Sequence, residues 1–305
     1  MYAIVTAGGI PNPEDPLYTF LKGDAKALVD VAGKPMVQWV IDALNEAKRV
    51  DEIILIGLTA KSGIVSAKPM HHIPNQGRML SNIVAGINKS IELNKKTEYV
   101  LVVSSDIPAL KGDMVDWLVD TCMETDDEMY YGLCPRDVME VRFPDSKRTY
   151  TRLKDMEMCG ADIHMTHVRM VTEHLELWEK LIGNRKSPLT QASIVGLDTF
   201  WKIFTRSITL PDLVTHLSNR LGIKGRAIIW DRAEPCMDVD KPHQLEMLRE
   251  DMAKESAMKS AAVPVKEAKS PRKAPSKAPA ASSTKKKPAA KSSSAKPAAK
   301  SKKVK

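Results

Sequence analysis

The sequence predicts an α/β protein with a doubly wound, mostly parallel sheet, and three features lead there. Apolar runs recur at Tyr2–Thr6, Ile53–Leu58 and Tyr99–Ser104, short enough for strands and continuous enough to be buried on both faces. Segments with apolar residues at helical spacing separate them. The first run stops at Ala7-Gly8-Gly9, small residues that let backbone N–H groups approach a ligand at the carboxyl edge of a sheet.

In chain order, the first strand leads into a polar loop with Pro11, Pro13 and Pro16, and then Ala25–Val31. Met36, Val37, Val40, Ile41 and Leu44 give Pro35–Val50 an amphipathic helical pattern. Asp51-Glu52 precede the strand Ile53–Leu58, and Met79–Leu93 is the next amphipathic helix. Tyr99–Ser104 is a buried strand ending in Ser105-Asp106-Ile107-Pro108. A helix over Gly112–Met123 and a strand near Met129–Cys134 continue the alternation, which requires right-handed crossovers. Beyond this, Ala161–Val171 is expected to be extended, and Val171–Ile182, Leu189–Phe204 and Leu210–Leu221 helical. Ala227–Trp230 is expected as a strand and Pro242–Lys254 as a closing helix. The segment from Arg185 to Leu221 reads as an acceptor-side helical subregion or an oligomer contact.

The overall charge of +8 hides two opposite halves. Lys259–Lys305 holds 15 Lys or Arg and one acid, a net of +14, which leaves 31 basic and 37 acidic side chains, a net of −6, before it. The folded domain is therefore expected over 1–255 and a disordered Lys/Ala/Pro/Ser-rich basic tail over 256–305, since that composition buries too little apolar surface to offset chain entropy. Cys122, Cys134, Cys159 and Cys236 form no C-x-x-C pair and fit reduced thiols. With no leader pattern and no apolar run long enough to span a membrane, the expected location is cytoplasmic.

Four motifs carry a family resemblance. They are Ala7-Gly8-Gly9; Lys26-Ala27-Leu28 followed by Val31-Ala32-Gly33-Lys34-Pro35-Met36; Ser105-Asp106-Ile107-Pro108; and Asp238-Val239-Asp240-Lys241-Pro242 leading into Leu245. In this order and spacing, residues 1–255 resemble GT-A-like nucleotidyltransferases, among them molybdenum-cofactor guanylyl- and cytidylyltransferases. The resemblance implies an enzyme that joins a nucleoside monophosphate from an NTP to a phosphorylated small-molecule acceptor, a cofactor precursor or a sugar phosphate, with release of pyrophosphate. Such chemistry asks the protein to hold two anions together and offset the charge gathering between them.

The resemblance makes Asp106 the principal ligand of Mg²⁺ and Asp240 the second, against the alternatives that Asp106 caps the helix after Pro108 and Asp240 caps the one at Pro242. Lys26 matches the lysine that contacts the triphosphate, with a solvated loop lysine as the plain alternative. Ala7, Gly8 and Gly9 are its expected phosphate-approach residues. Pro74-Asn75-Gln76-Gly77-Arg78, with Ser81 and Asn82, resembles the base-reading segment, and Asn82 is assigned to the nucleotide or else to the helix interior. Asp162, in Gly160-Ala161-Asp162, matches an acceptor-side position or is a turn acid. Lys34 belongs to a structural turn. His164 and His167 lie three apart in an expected strand, so they point to opposite faces and do not pair as metal ligands.

One departure stands out. The loop Ile10–Pro16 lacks the arginine that relatives place after Gly-Gly, and Lys22 is the nearest substitute. Two further readings stay open. Asp238-Val239-Asp240 has the D-x-D form of glycosyltransferases, and the tail resembles linker-histone tails, which suggests non-specific nucleic-acid contact through 256–305 around a catalytically inactive nucleotide-binding domain.

Overall fold

The computed structural model describes residues 1–21, 24–176, 179 and 196–262. Among them nine strands form one sheet. Strands β1 (Tyr2–Thr6), β4 (Glu52–Ile56), β5 (Met70–Ile73) and β6 (Tyr99–Ser104) run parallel in the order β5-β4-β1-β6. The short pair β2 (Asp30–Val31) and β3 (Lys34–Pro35) forms a separate hairpin. Beyond β6 the sheet becomes mixed. Strand β10 (Ile163–His167) is antiparallel to both β6 and β7 (Met129–Pro135), and β9 (Glu157–Gly160) and β8 (Thr151–Arg152) extend it antiparallel. Strand β11 (Gly225–Ile229) runs parallel to β7.

The continuous apolar runs are explained by burial on both faces. Ala3, Val5, Ile53, Leu55, Leu101 and Val103 enter one core with α2 (Met36–Glu46), α4 (Gly112–Cys122) and Leu245, Leu248 and Met252 of α9 (Pro242–Ala262). The alternate residues Ile4, Ile54, Ile56, Val100 and Val102 enter the other with α3 (Met79–Leu93). Period-2 alternation therefore distributes apolar side chains to both layers.

The expected helix over Pro35–Val50 ends earlier, at Glu46. Ala47 turns extended, and the Asp116 carboxylate accepts the N–H groups of Lys48 (3.0 Å) and Arg49 (2.8 Å), which fixes the exit of the helix. The expected extended stretch Ala161–Val171 is strand only over β10, followed by the short helix α6 (Arg169–Thr172). The other short helices are α1 (Tyr18–Leu21) and α5 (Arg136–Arg142); α7 (Leu197–Phe204) and α8 (Leu210–Leu221) follow later in the chain. The expected helices Val171–Ile182 and Leu189–Phe204 fall partly outside the described residues, as do Lys22 and Arg185. The closing helix continues to Ala262, and residues 263–305 lie outside the described residues.

His164 stacks on Tyr131 with centroids 4.4 Å apart, and His167 meets Tyr99 edge-on at 4.8 Å. They project to opposite faces and serve as packing groups. All four cysteines are buried and free. No helix among the described residues is long and apolar enough to cross a membrane.

Candidate active site

The order β5-β4-β1-β6 has a topological switch point between β1 and β6. The chain leaves those strands in opposite lateral directions, and a crevice opens outside their carboxyl ends. Ala7–Gly9 and Ser105–Asp106 run into that crevice. Three backbone bonds bring the remaining segments to it. Lys26 N–H donates to the Gly9 carbonyl at 2.9 Å, Val239 N–H to the Asp106 carbonyl at 3.0 Å, and Ser104 N–H to the Asp162 carbonyl at 2.8 Å. Residues that are more than 200 positions apart in sequence thus share one corner.

Lys26 is the centre of this corner. Its Nζ donates to Asp106 Oδ2 at 2.7 Å and to Asp240 Oδ1 at 2.6 Å. Ser104 Oγ donates to the other Asp106 oxygen. Lys26 and Asp106 are largely buried, whereas the Asp240 side chain is 60% exposed and opens to solvent. Burial works against the Lys26 charge, but the two carboxylates outweigh it and hold the ammonium above the usual lysine range. Burial likewise works against the Asp240 charge, and Lys26 reverses this, so its carboxyl lies below the usual range.

Neither aspartate is a helix cap. The helix after Pro108 starts at Gly112 with Lys111 at its cap position, so Asp106 lies well outside it. At the last helix, Gln244 Oε1 accepts the N–H groups of Asp240 and Lys241 at 2.9 Å each, leaving the Asp240 carboxylate to Lys26.

Arg148, from the loop after α5, gave no local sequence signal. Its side chain is mostly buried, pairs through Nη1 with Asp238, donates Nη2–H to the Gly160 carbonyl at 3.2 Å, and lies 3.8 Å from Asp162 Oδ2. Asp162 stands beside the same corner. Burial, then repulsion from Asp106, pushes its carboxyl up to about 7 against the pull of Arg148. The D-x-D pair is therefore split, with Asp238 facing Arg148 and Asp240 facing Lys26.

The loop after β5 closes the other side. Asn75 Nδ2 donates to the Gly8 carbonyl at 2.7 Å and its Oδ1 accepts Gly77 N–H at 2.9 Å. Asn82, 6% exposed, accepts Gln76 N–H at 2.7 Å and donates to Asn75 Oδ1 at 3.2 Å. Asn82 thus positions Asn75, and Asn75 is the amide at the crevice. The N–H groups of Gly8, Gly9 and Ile10 donate to no partner among the described residues. Such adjacent free donors suit an anion. Lys34 pairs with Asp42 and lies over the Trp39 ring, consistent with its structural turn.

Among the described residues no group of three or more Asp, Glu, His or Cys side chains is arranged to hold a metal ion. The donor set at the corner is two carboxylates converging on one cation, Lys26. Two hard oxygen ligands fit Mg²⁺, which takes its other oxygens from phosphates and water.

Comparison with known proteins gives a consistent picture. The profile of the MobA-like NTP transferase domain matches residues 21–176, about half of the chain. A probable molybdenum cofactor guanylyltransferase of Thermococcus kodakarensis is 26% identical over 98 residues, covering 32% of this chain and 46% of that protein. The match thus spans a little under half the length of that relative. A solved hypothetical transferase from Thermus thermophilus is 30% identical with a TM-score of 0.70, covering 80% of this chain and 98% of that one. A CMP:2-keto-3-deoxy-manno-octonic acid synthetase solved with CTP is 15% identical with a TM-score of 0.54, covering 83% of this chain and 98% of that one, a likeness of fold alone.

Proposed function

This chain belongs to the family of MobA-like NTP transferase domains, and on that premise we propose that it transfers a nucleoside monophosphate from an NTP to a phosphorylated small-molecule acceptor, releasing pyrophosphate. The observation that carries the reading is the Lys26 ammonium shared by Asp106 and Asp240 at the switch point. Their hydrogen-bonding oxygens both lie within 2.7 Å of Nζ, so one small cationic centre satisfies both carboxylates.

In this reading the backbone donors of Gly8, Gly9 and Ile10 take triphosphate oxygens in place of the missing loop arginine. Lys26 swings from the carboxylates to the phosphates, where its charge offsets the negative charge that accumulates as the acceptor oxygen attacks the α-phosphorus. Asp106 and Asp240 would hold Mg²⁺, which would supply positive charge against that of the phosphates. Asn75, held by Asn82, presents its amide to the nucleotide, and Asp162 with Arg148 orients the acceptor side. The curated relative is named a guanylyltransferase, so GTP with a phosphorylated cofactor precursor heads the substrate panel.

The test is pyrophosphate release from each of the four NTPs with Mg²⁺ and a panel of acceptor phosphates. Lys26→Met is expected to lower turnover by about 100-fold or more, with Mg²⁺ still required. Asn82→Ala is expected to act mostly on KM for the NTP. It removes the brace behind Asn75 and leaves Gln76 N–H without its acceptor, at a stability cost of about 1–2 kcal/mol. An unchanged KM would show that the loop does not face the nucleotide. Wild-type protein that releases no pyrophosphate with any acceptor in the panel, while binding nucleotide, would favour an inactive binding module. The basic tail 256–305 is proposed to add salt-sensitive, sequence-independent nucleic-acid contact, measured by comparing DNA binding with and without residues 263–305.

A further inference from the structure

Helix α7 is amphipathic in the opposite sense from the other helices of the fold. Leu197, Phe200, Trp201 and Phe204 recur at the spacing of one helical face and are 70%, 38%, 61% and 70% exposed. The opposite face is largely polar and meets the rest of the fold mainly through Thr199 and Ile203. Thr199 is 2% exposed, Lys202 Nζ lies 3.4 Å from His216 Nε2 of α8, and Asp198 and Thr199 line a cleft with Thr215, Asn219 and Arg220. Only Ile203 joins the apolar cluster formed by Ile208, Leu210 and Leu213. Trp201 and Phe204 pack edge-to-face at 5.4 Å, which fixes the exposed stripe as one surface. Other exposed apolar residues such as Ile10, Val65 and Val141 are scattered singly, as on ordinary surfaces.

We propose that this stripe is the contact through which two copies of the chain associate. A two-fold axis between Phe200 and Trp201 pairs antiparallel helices isologously, setting Leu197 against the partner's Phe204 and Phe200 against the partner's Trp201. Three aromatic side chains and one leucine at these exposures present on the order of 500 Å² to water. Two such faces remove about 1,000 Å², the lower bound for a specific interface. The tail does not suit this face. From 263 onward its large apolar residues are only Val263, Val265 and Val304, among lysine, alanine, serine and proline.

The experiment is sedimentation velocity of the full chain across a concentration series, run in about 0.5 M salt so that tail electrostatics are screened. Wild type is expected to shift from monomer to dimer. Trp201→Asp with Phe204→Asp is expected to weaken self-association by about 10-fold or more. Val141→Asp, an equally exposed apolar site elsewhere, should leave it unchanged. Far-UV circular dichroism establishes that the double variant is folded; if it is not, Phe204→Ser replaces it, with the same expected direction. A wild type that stays monomeric throughout would overturn the proposal, as would a folded variant that dimerises as wild type does. So would a monomer that binds neutral phosphatidylcholine vesicles through this stripe, an outcome that assigns the face to a lipid surface instead.

Discussion

Asp106→Asn is expected to reduce pyrophosphate release by about 100- to 1,000-fold while leaving the fold intact. The substitution keeps the volume and the hydrogen-bonding shape of the side chain and removes its charge. In the wild type, Asp106 accepts from Lys26 on one oxygen and from Ser104 Oγ on the other. An asparagine can preserve one of these acceptances, so the stability loss should stay within about 1–3 kcal/mol. What it cannot preserve is half of the carboxylate pair that organises Lys26 and that, on the proposed function, would attract a divalent cation. The expected signature is therefore a raised Mg²⁺ requirement together with a fall in kcat, both measured by pyrophosphate release across a Mg²⁺ titration. Asp240→Asn should show the same pattern more weakly, because its side chain is the more exposed of the two and screened by solvent. Activity within about ten-fold of wild type in Asp106→Asn, at saturating Mg²⁺, would remove Asp106 from the site.

The break after the first strand pointed to Gly8-Gly9, the motifs of the family resemblance pointed to Lys26, Asp106 and Asp240, and the fold brings these segments to one corner. The helix Met79–Leu93 and the strand Tyr99–Ser104 keep their expected bounds, since each has uniform periodicity and clear breakers. Strand β5 was not legible. Its Met-His-His-Ile is half-buried throughout, and its two consecutive histidines put one polar ring on each face, which leaves no apolar run or alternation to read. Strands β8 and β9 are short and near the sheet margin, where pairing rather than composition makes the strand. Arg148 was invisible for another reason. Its partners Asp162 and Asp238 are 14 and 90 positions away, so only the folded chain defines its role. Asn75 was named within the segment that resembles the base-reading one, but its acceptor, a backbone carbonyl 67 residues earlier, is supplied only by the folded chain.

Gly57→Ala is expected to be the most damaging single-methyl change in the fold, and it tests the site through its scaffold. Gly57 follows β4 with φ +99°, a backbone conformation that a side chain strains by about 1–3 kcal/mol. A Cβ there would lie 2.2 Å from Gly8 Cα and 2.4 Å from Gly8 N, and neither atom belongs to a side chain that could turn away. Relief requires the Ala7–Gly9 segment itself to move. That segment is pinned by Ala7 N–H on the Ile56 carbonyl, by Asn75 on the Gly8 carbonyl, and by Lys26 N–H on the Gly9 carbonyl. A shift therefore propagates to Lys26 and to the loop that carries Asn75. We expect a loss of about 3 kcal/mol or more, a fall in Tm of roughly 6–12 °C, and a rise in KM for the NTP at temperatures where the variant is still folded. Gly8→Ala probes the same crowding from the other side. Its Cβ would meet the Asn75 side chain at 2.7 Å, and that side chain can rotate, so stability should suffer less than in Gly57→Ala. Nucleotide KM should rise at least as much, because the rotated Asn75 leaves the crevice. Thermal unfolding and KM measured on both variants separate the two roles. If Gly8→Ala lowered Tm more than Gly57→Ala, the close approach of the two backbones would not be what holds this loop in place.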